Sequence, residues 1–134
     1  MNYWLIKSEP DVFSWSDLQN KPAVWDGVRN YAARNHLKAM KIGDKALFYH
    51  SNIGKEVVGI AEITKEYFPD PTTVDERWVA VEVKAYKAFK QAVSLEQIKK
   101  EPGLAQIKLI KQSRLSVMPL TETEFKIICK LGGL

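Results

Sequence analysis

The chain has 134 residues, 46% of them apolar and 27% charged, which is the usage of an ordinary folded domain and excludes disorder, collagen-like repeats and a disulfide scaffold. Twenty basic residues against sixteen acidic ones give a net charge of +4, which favours polyanions only weakly. The lone cysteine, Cys129, excludes an internal disulfide and points to a reducing compartment, and no apolar run reaches the length of a signal peptide core or a membrane span, so the expected location is cytoplasmic with no membrane partner.

In chain order, residues 3–7 read as a first strand. Ser14 and Asp17 have capping-box spacing and predict a short helix ending near Asn20. Residues 31–40 predict a second helix, with Ala33, Leu37 and Met40 on one stripe and Gly43-Asp44 as its stop. Strands are expected over 45–51, 57–67 and 78–89; in the last, Val79, Val81, Val83 and Ala85 alternate with Glu82 and Lys84. Between the second and third of these, residues 69–77 read as a loop. Ser94 with Gln97 opens a short helix before Pro102-Gly103, and residues 115–118 read as a strand ended by Pro119. Thr121 with Glu124 caps a final helix whose Phe125, Ile128 and Leu131 share a face, and Gly132-Gly133 ends it. No linker or repeat divides the chain. The expectation is one domain over 1–134, α+β in class, a small closed or nearly closed β-barrel with peripheral helices.

Signatures of chemistry are sparse. The chain has no G-x-x-x-x-G-K-[ST] loop, no G-x-G-x-x-G fingerprint and no G-x-S-x-G elbow, which argues against nucleotide hydrolysis, dinucleotide binding and hydrolase chemistry. His36, His50 and Cys129 lack zinc spacing, and Cys129 lies among Ile127, Ile128 and Leu131, where an inert thiol is expected. Glu9 and Asp11 have turn and cap roles as ready explanations; Asp70, Asp75 and Glu76 read as a solvated loop. No cofactor is expected.

Polar residues do gather at strand ends, where a barrel presents a site. Lys7-Ser8-Glu9 follow the first strand, and His50-Ser51-Asn52 follow residues 46–49. The run from Trp25 to Asn30 places an aromatic and hydrogen-bonding groups before a helix, and Ser113-Arg114-Leu115-Ser116 supplies a guanidinium. Together they offer stacking, donors, acceptors and positive charge, which is what an unstacked base requires. The competing readings are an enzyme acting on nucleobases or RNA and a protein-interaction domain.

At these segments the sequence resembles the EVE domain, within the wider PUA superfamily. The resemblance rests on Tyr-Trp-Leu-Ile-Lys-Ser-Glu-Pro at 3–10, Trp-Asp-Gly-Val-Arg-Asn at 25–30, Phe-Tyr-His-Ser-Asn at 48–52, Val-Gly-Ile-Ala at 58–61 and Ser-Arg-Leu-Ser-Val at 113–117. It implies a PUA-like barrel that binds modified bases without chemistry. Carried over by motif, Lys7 and Ser8 line the pocket, Trp25 forms an aromatic wall with Phe68 as a second, Asn30 offers its amide and Glu9 reads an amino group. His50, Ser51 and Asn52 close the opposite side, and Arg114 and Ser116 contact the base or its phosphate. Arg29, Arg34, Lys38, Lys41 and Lys45 are the candidates for further phosphate contacts. The related YTH domains hold methylated adenine in a cage of aromatics, and residues 67–75 contain no tryptophan to match, so the resemblance implies a modified cytosine. The expected partners are DNA or RNA carrying that base, and a separate effector protein.

Overall fold

The computed structural model describes residues 1–134. The elements run β1 (Tyr3–Ser8), α1 (Trp15–Asn20), β2 (Ala23–Trp25), α2 (Tyr31–Ala39), β3 (Lys45–His50), β4 (Glu56–Pro69), β5 (Val79–Ser94), α3 (Leu95–Lys100), a 3-10 turn (Pro102–Leu104), α4 (Lys108–Lys111), β6 (Val117–Leu120) and α5 (Glu122–Leu131). All three capping boxes form, Ser14 with Asp17, Ser94 with Gln97 and Thr121 with Glu124, each satisfying helix-end amides that would otherwise lack partners. The stripe of Ala33, Leu37 and Met40 is fully buried, as its spacing demands.

The six strands form one sheet in the order β2-β5-β4-β3-β1-β6. β1 runs parallel to β3 and antiparallel to β6, and the remaining pairs are antiparallel. Consecutive Trp4, Leu5 and Ile6 are all buried, which marks β1 as a strand covered on both faces. Register shifts interrupt the β4–β5 ladder four times, and such irregularities bend and twist a strand pair. α2 packs against β6 as well as against β4 and β5, so the curled sheet wraps around it. The class is α+β as expected, but the strand ladder is not closed into a barrel. β2 is three residues long and β6 four; neither pairs with the other, and α2 bridges the two sides in place of a closing pair.

Two further differences from the sequence reading have local causes. The strand expected over 115–118 is Val117–Leu120, with Pro119 inside it rather than ending it. An edge strand tolerates proline because its outer N–H has no ladder partner to lose. β2, the 3-10 turn and α4 were not foreseen, being too short to show a period. One close approach fixes a glycine: a Cβ on Gly59 would lie 2.4 Å from the Trp15 ring, so α1 seats on β4 only because no side chain stands there.

Thirty buried residues form one contiguous core drawn from both ends of the chain. No helix is long and apolar enough to cross a membrane.

Candidate functional site

A cleft of about 750 Å³, within the range of small-ligand sites, opens where β1 ends beside β2. Its lining comes from Lys7, Ser8 and Glu9 at the end of β1, Val12 and Phe13 after it, the run from Ala23 to Asn30, and Ser116. Trp25 sits in β2, antiparallel to β5, with Val81 as its register partner. The Trp25 ring stands nearly perpendicular to Phe13 and Phe48, at centroid distances of 6.1 and 5.7 Å, so core aromatics hold its orientation while the residue stays part exposed.

The polar lining is built as firmly. The Lys7 ammonium donates to the Ser113 carbonyl at 2.7 Å, and burial lowers its pKa. Ser8 is buried and its hydroxyl donates to the Phe13 carbonyl, which ties the loop back onto β1. Glu9 accepts from the Asn52 amide at 2.7 Å. Asn30 caps α2 with its side-chain oxygen, 2.9 Å from the Ala33 N–H, which leaves its amide N–H groups free to donate. At the rim, the Asp26 carboxyl is raised by partial burial and by the charge of Asp70.

One side chain outside the cleft organises this wall. Asp70 is buried, and it accepts from the Gly27 N–H at 2.8 Å, from Arg29 at 2.9 Å and from both the N–H and the hydroxyl of Thr72. Burial alone raises a carboxyl, but these four donors outweigh it and hold Asp70 far below the usual carboxylate range. The expectation that Asp70 belongs to a solvated loop is therefore corrected. Gly27 itself has φ +75°, a left-handed turn that places its N–H on Asp70.

Of the eleven residues expected in the pocket, the cleft brings together Lys7, Ser8, Glu9, Trp25, Asn30 and Ser116. Five lie elsewhere. His50 Nε2 accepts the Trp15 N–H at 3.0 Å and serves the start of α1. Ser51 bonds through its backbone to the Ser8 carbonyl, and Asn52 reaches the wall only by way of Glu9. Phe68 pairs with Ala80, carries Lys65 over its ring and does not line the cleft. Arg114 borders an adjoining recess of about 350 Å³ that shares Asn30 with the cleft. Among the expected phosphate contacts only Arg29 lines the cleft. Arg34 stacks on Tyr31, Lys38 on Tyr67, Lys41 pairs with Glu66 and Lys45 with Glu62. Sequence reasoning missed Phe13, Asp26 and Asp70; the Asp-Pro-Thr run at 70–72, a turn-forming pattern, was the one available signal for the last.

The role of His50 is testable. Burial lowers its pKa, opposed by Glu56, so the neutral form that accepts from Trp15 is the folded-state form. A depressed folded value means that this stabilisation is complete above the unfolded value of about 6.5 and is lost as pH falls through the folded one. His50→Ala is expected to cost about 1 kcal/mol at neutral pH and to flatten part of the stability loss below about pH 6.5, to which His36, lowered by burial and by Lys108, also contributes. Base preference should not change; an altered preference would return the imidazole to the site. Cys129 is correspondingly quiet, its thiol pushed up to about 11 by burial.

No group of three or more His, Cys, Asp or Glu side chains is placed to hold a metal ion. Compared with known proteins, residues 2–131 match the EVE domain model. Thymocyte nuclear protein 1 of Mus musculus is 40% identical, over 97% of this chain and 73% of the relative. A solved structure from Agrobacterium tumefaciens superposes with a TM-score of 0.98 at 47% identity, covering 100% of this chain and 94% of the other. The human THYN1 protein in complex with 5-methylcytosine containing DNA superposes with a TM-score of 0.92 at 33% identity, over 100% and 99% of the two chains.

Proposed function

Since this chain belongs to the EVE domain family, we propose that it is a PUA-like, single-domain reader of nucleic acid that holds one extruded, modified cytosine in the cleft beside Trp25 and does no chemistry on it. The carrying observation is the pairing, in one cleft, of a part-exposed tryptophan held by Phe13 and Phe48 with donors and acceptors fixed by their own bonds. Stacking on an aromatic ring contributes about 1–3 kcal/mol whatever the base, so identity must come from the polar wall. Lys7 and Asn30 offer donors suited to the carbonyl and ring nitrogen of cytosine, while Glu9 and Asp26 offer acceptors to its amino group. The apolar lining of Val12, Ala23 and Val24 suits a methyl substituent, whose burial is worth about 0.8 kcal/mol.

The human THYN1 complex with 5-methylcytosine containing DNA supports this reading of the ligand. It also favours DNA over RNA and an intracellular place of action. Arg29 at the cleft and Arg114 at the adjoining recess are the proposed phosphate contacts, and a separate protein would act on what is bound. A reader of this design needs its titratable groups occupied in fixed hydrogen bonds, as Lys7 and Glu9 are, rather than poised to transfer protons.

The test is titration of the protein with oligonucleotides, single- and double-stranded, DNA and RNA, carrying plain, methylated or hydroxymethylated cytosine at one position. A preference for methylated over plain cytosine of roughly 4-fold or more is expected, the factor that one buried methyl supports. Binding that ignores the base and falls steeply with salt would remove the pocket from the account.

A further inference from the structure

α2 opens a second surface beside the cleft. Its first residue, Tyr31, is 52% exposed, and the ring lies 5.2 Å from that of Trp78, centroid to centroid, with the planes 32° apart. Three guanidinium groups surround this pair. Arg29 lies 5.6 Å over the Trp78 ring, Arg34 lies 5.0 Å over the Tyr31 ring, and Arg77 donates to the Tyr31 hydroxyl at 3.1 Å. Arg29 also lines the cleft, so the two surfaces are continuous. Three carboxylates face the cluster, Asp70 and Asp26 by Arg29 and Asp75 on Arg77. Arg34 has no carboxylate partner; besides the Tyr31 ring it bonds only to the Asn35 side chain and the Arg77 carbonyl.

We propose that Tyr31, Trp78 and Arg34 form a stacking subsite for the nucleotide next to the base held in the cleft. The inference rests on the reader function and extends it from one nucleotide to two. Extruding a base carries its neighbour's backbone to the cleft mouth, and the half-exposed Tyr31 there, backed by the partly buried Trp78, offers that neighbour the partner it loses in the duplex. Aromatic rings and guanidinium planes are interchangeable stacking platforms for bases, and both are present here. An unpaired guanidinium beside them meets the connecting phosphate with bonds in a fork. This arrangement is indifferent to the identity of the neighbouring base, because every base has a stacking face.

The experiment compares wild type, Tyr31→Ala and Trp78→Phe against two probes, 5-methyl-2′-deoxycytidine monophosphate and a single-stranded trinucleotide with 5-methylcytosine at its centre. Wild type should bind the trinucleotide about 10-fold more tightly than the monomer. Tyr31→Ala, a half-exposed position whose loss leaves the core intact, should lose most of that gain and keep the monomer affinity. Trp78→Phe, which keeps a ring, should retain the gain. Undiminished trinucleotide affinity in Tyr31→Ala overturns the subsite. A further trinucleotide, with plain cytosine at its centre, separates the two readings: equal affinity for it and for the methylated trinucleotide in wild type overturns the cleft reading and the subsite with it, whereas a preference for the methylated one, bound by Tyr31→Ala with undiminished strength, overturns the subsite alone. Loss of trinucleotide binding by wild type overturns both.

Discussion

Trp25→Ala is expected to weaken binding of a modified cytosine by roughly 5- to 150-fold, the loss that corresponds to one stacking contact. The chain should stay folded. Trp25 packs against the core from outside the fully buried set, and it gives to stability the apolar area it partly buries together with two edge-on aromatic contacts, with Phe13 and Phe48, each worth about 0.5–1.5 kcal/mol. A lower melting temperature with retained circular dichroism is therefore anticipated, while Trp25→Phe should recover part of the affinity. Titration followed by the emission of the remaining tryptophans separates the cases. Full affinity in the alanine variant would show that the ring is not the stacking surface; a chain that no longer folds would place it in the core.

The largest effect on stability is expected at Asp70, a residue that touches no ligand in this reading. Asp70→Ala strips the acceptor from the Gly27 and Thr72 amides, the Thr72 hydroxyl and Arg29 at once. Breaking a buried, charge-assisted group of this kind costs about 3 kcal/mol, discounted because the Arg29 side chain is 41% exposed and regains water. The pH dependence gives an independent check. Because the folded carboxyl is depressed, its stabilisation is complete above the unfolded value of about 3.9 and is lost as pH falls below it toward the folded value. Wild type should lose stability steeply below about pH 4, and Asp70→Ala less so. Affinity should fall as well, since Gly27 and Arg29 are cleft wall. A variant as stable as wild type would show that the 26–30 segment holds its shape without this anchor.

What the sequence discloses divides by distance along the chain. The capping boxes at Ser14, Ser94 and Thr121 are complete within four residues, and each forms where its spacing put it. The buried stripe of α2 follows from period alone. β2 is different: three residues show no alternation, and it exists because β5, almost 60 residues later, offers an edge. Asp70 reads as an acid of a local turn, which its Thr72 bonds bear out, yet its other two donors are 41 and 43 residues away. His50 shows the same blindness in reverse. A polar residue at a strand end reads alike whether it faces a ligand or receives the N–H of a helix start, and here it receives Trp15. Of the candidate site, the segments were legible because polar residues after apolar strands are conspicuous. Which side chains turn inward was not, because long-range pairing and the bends of β4 and β5 decide it.

The two unpaired margins of the sheet have one more consequence. A long, flat margin invites the strand of another molecule and, with it, the growth of fibrils. β2 offers such a visitor three residues, and β6 offers four, one of them Pro119, which has no N–H to give. Most of the margin is instead the stretch of β5 beyond Val83, which β2 leaves uncovered, and there Lys84, Lys87 and Lys90 supply the charges that discourage a visiting strand.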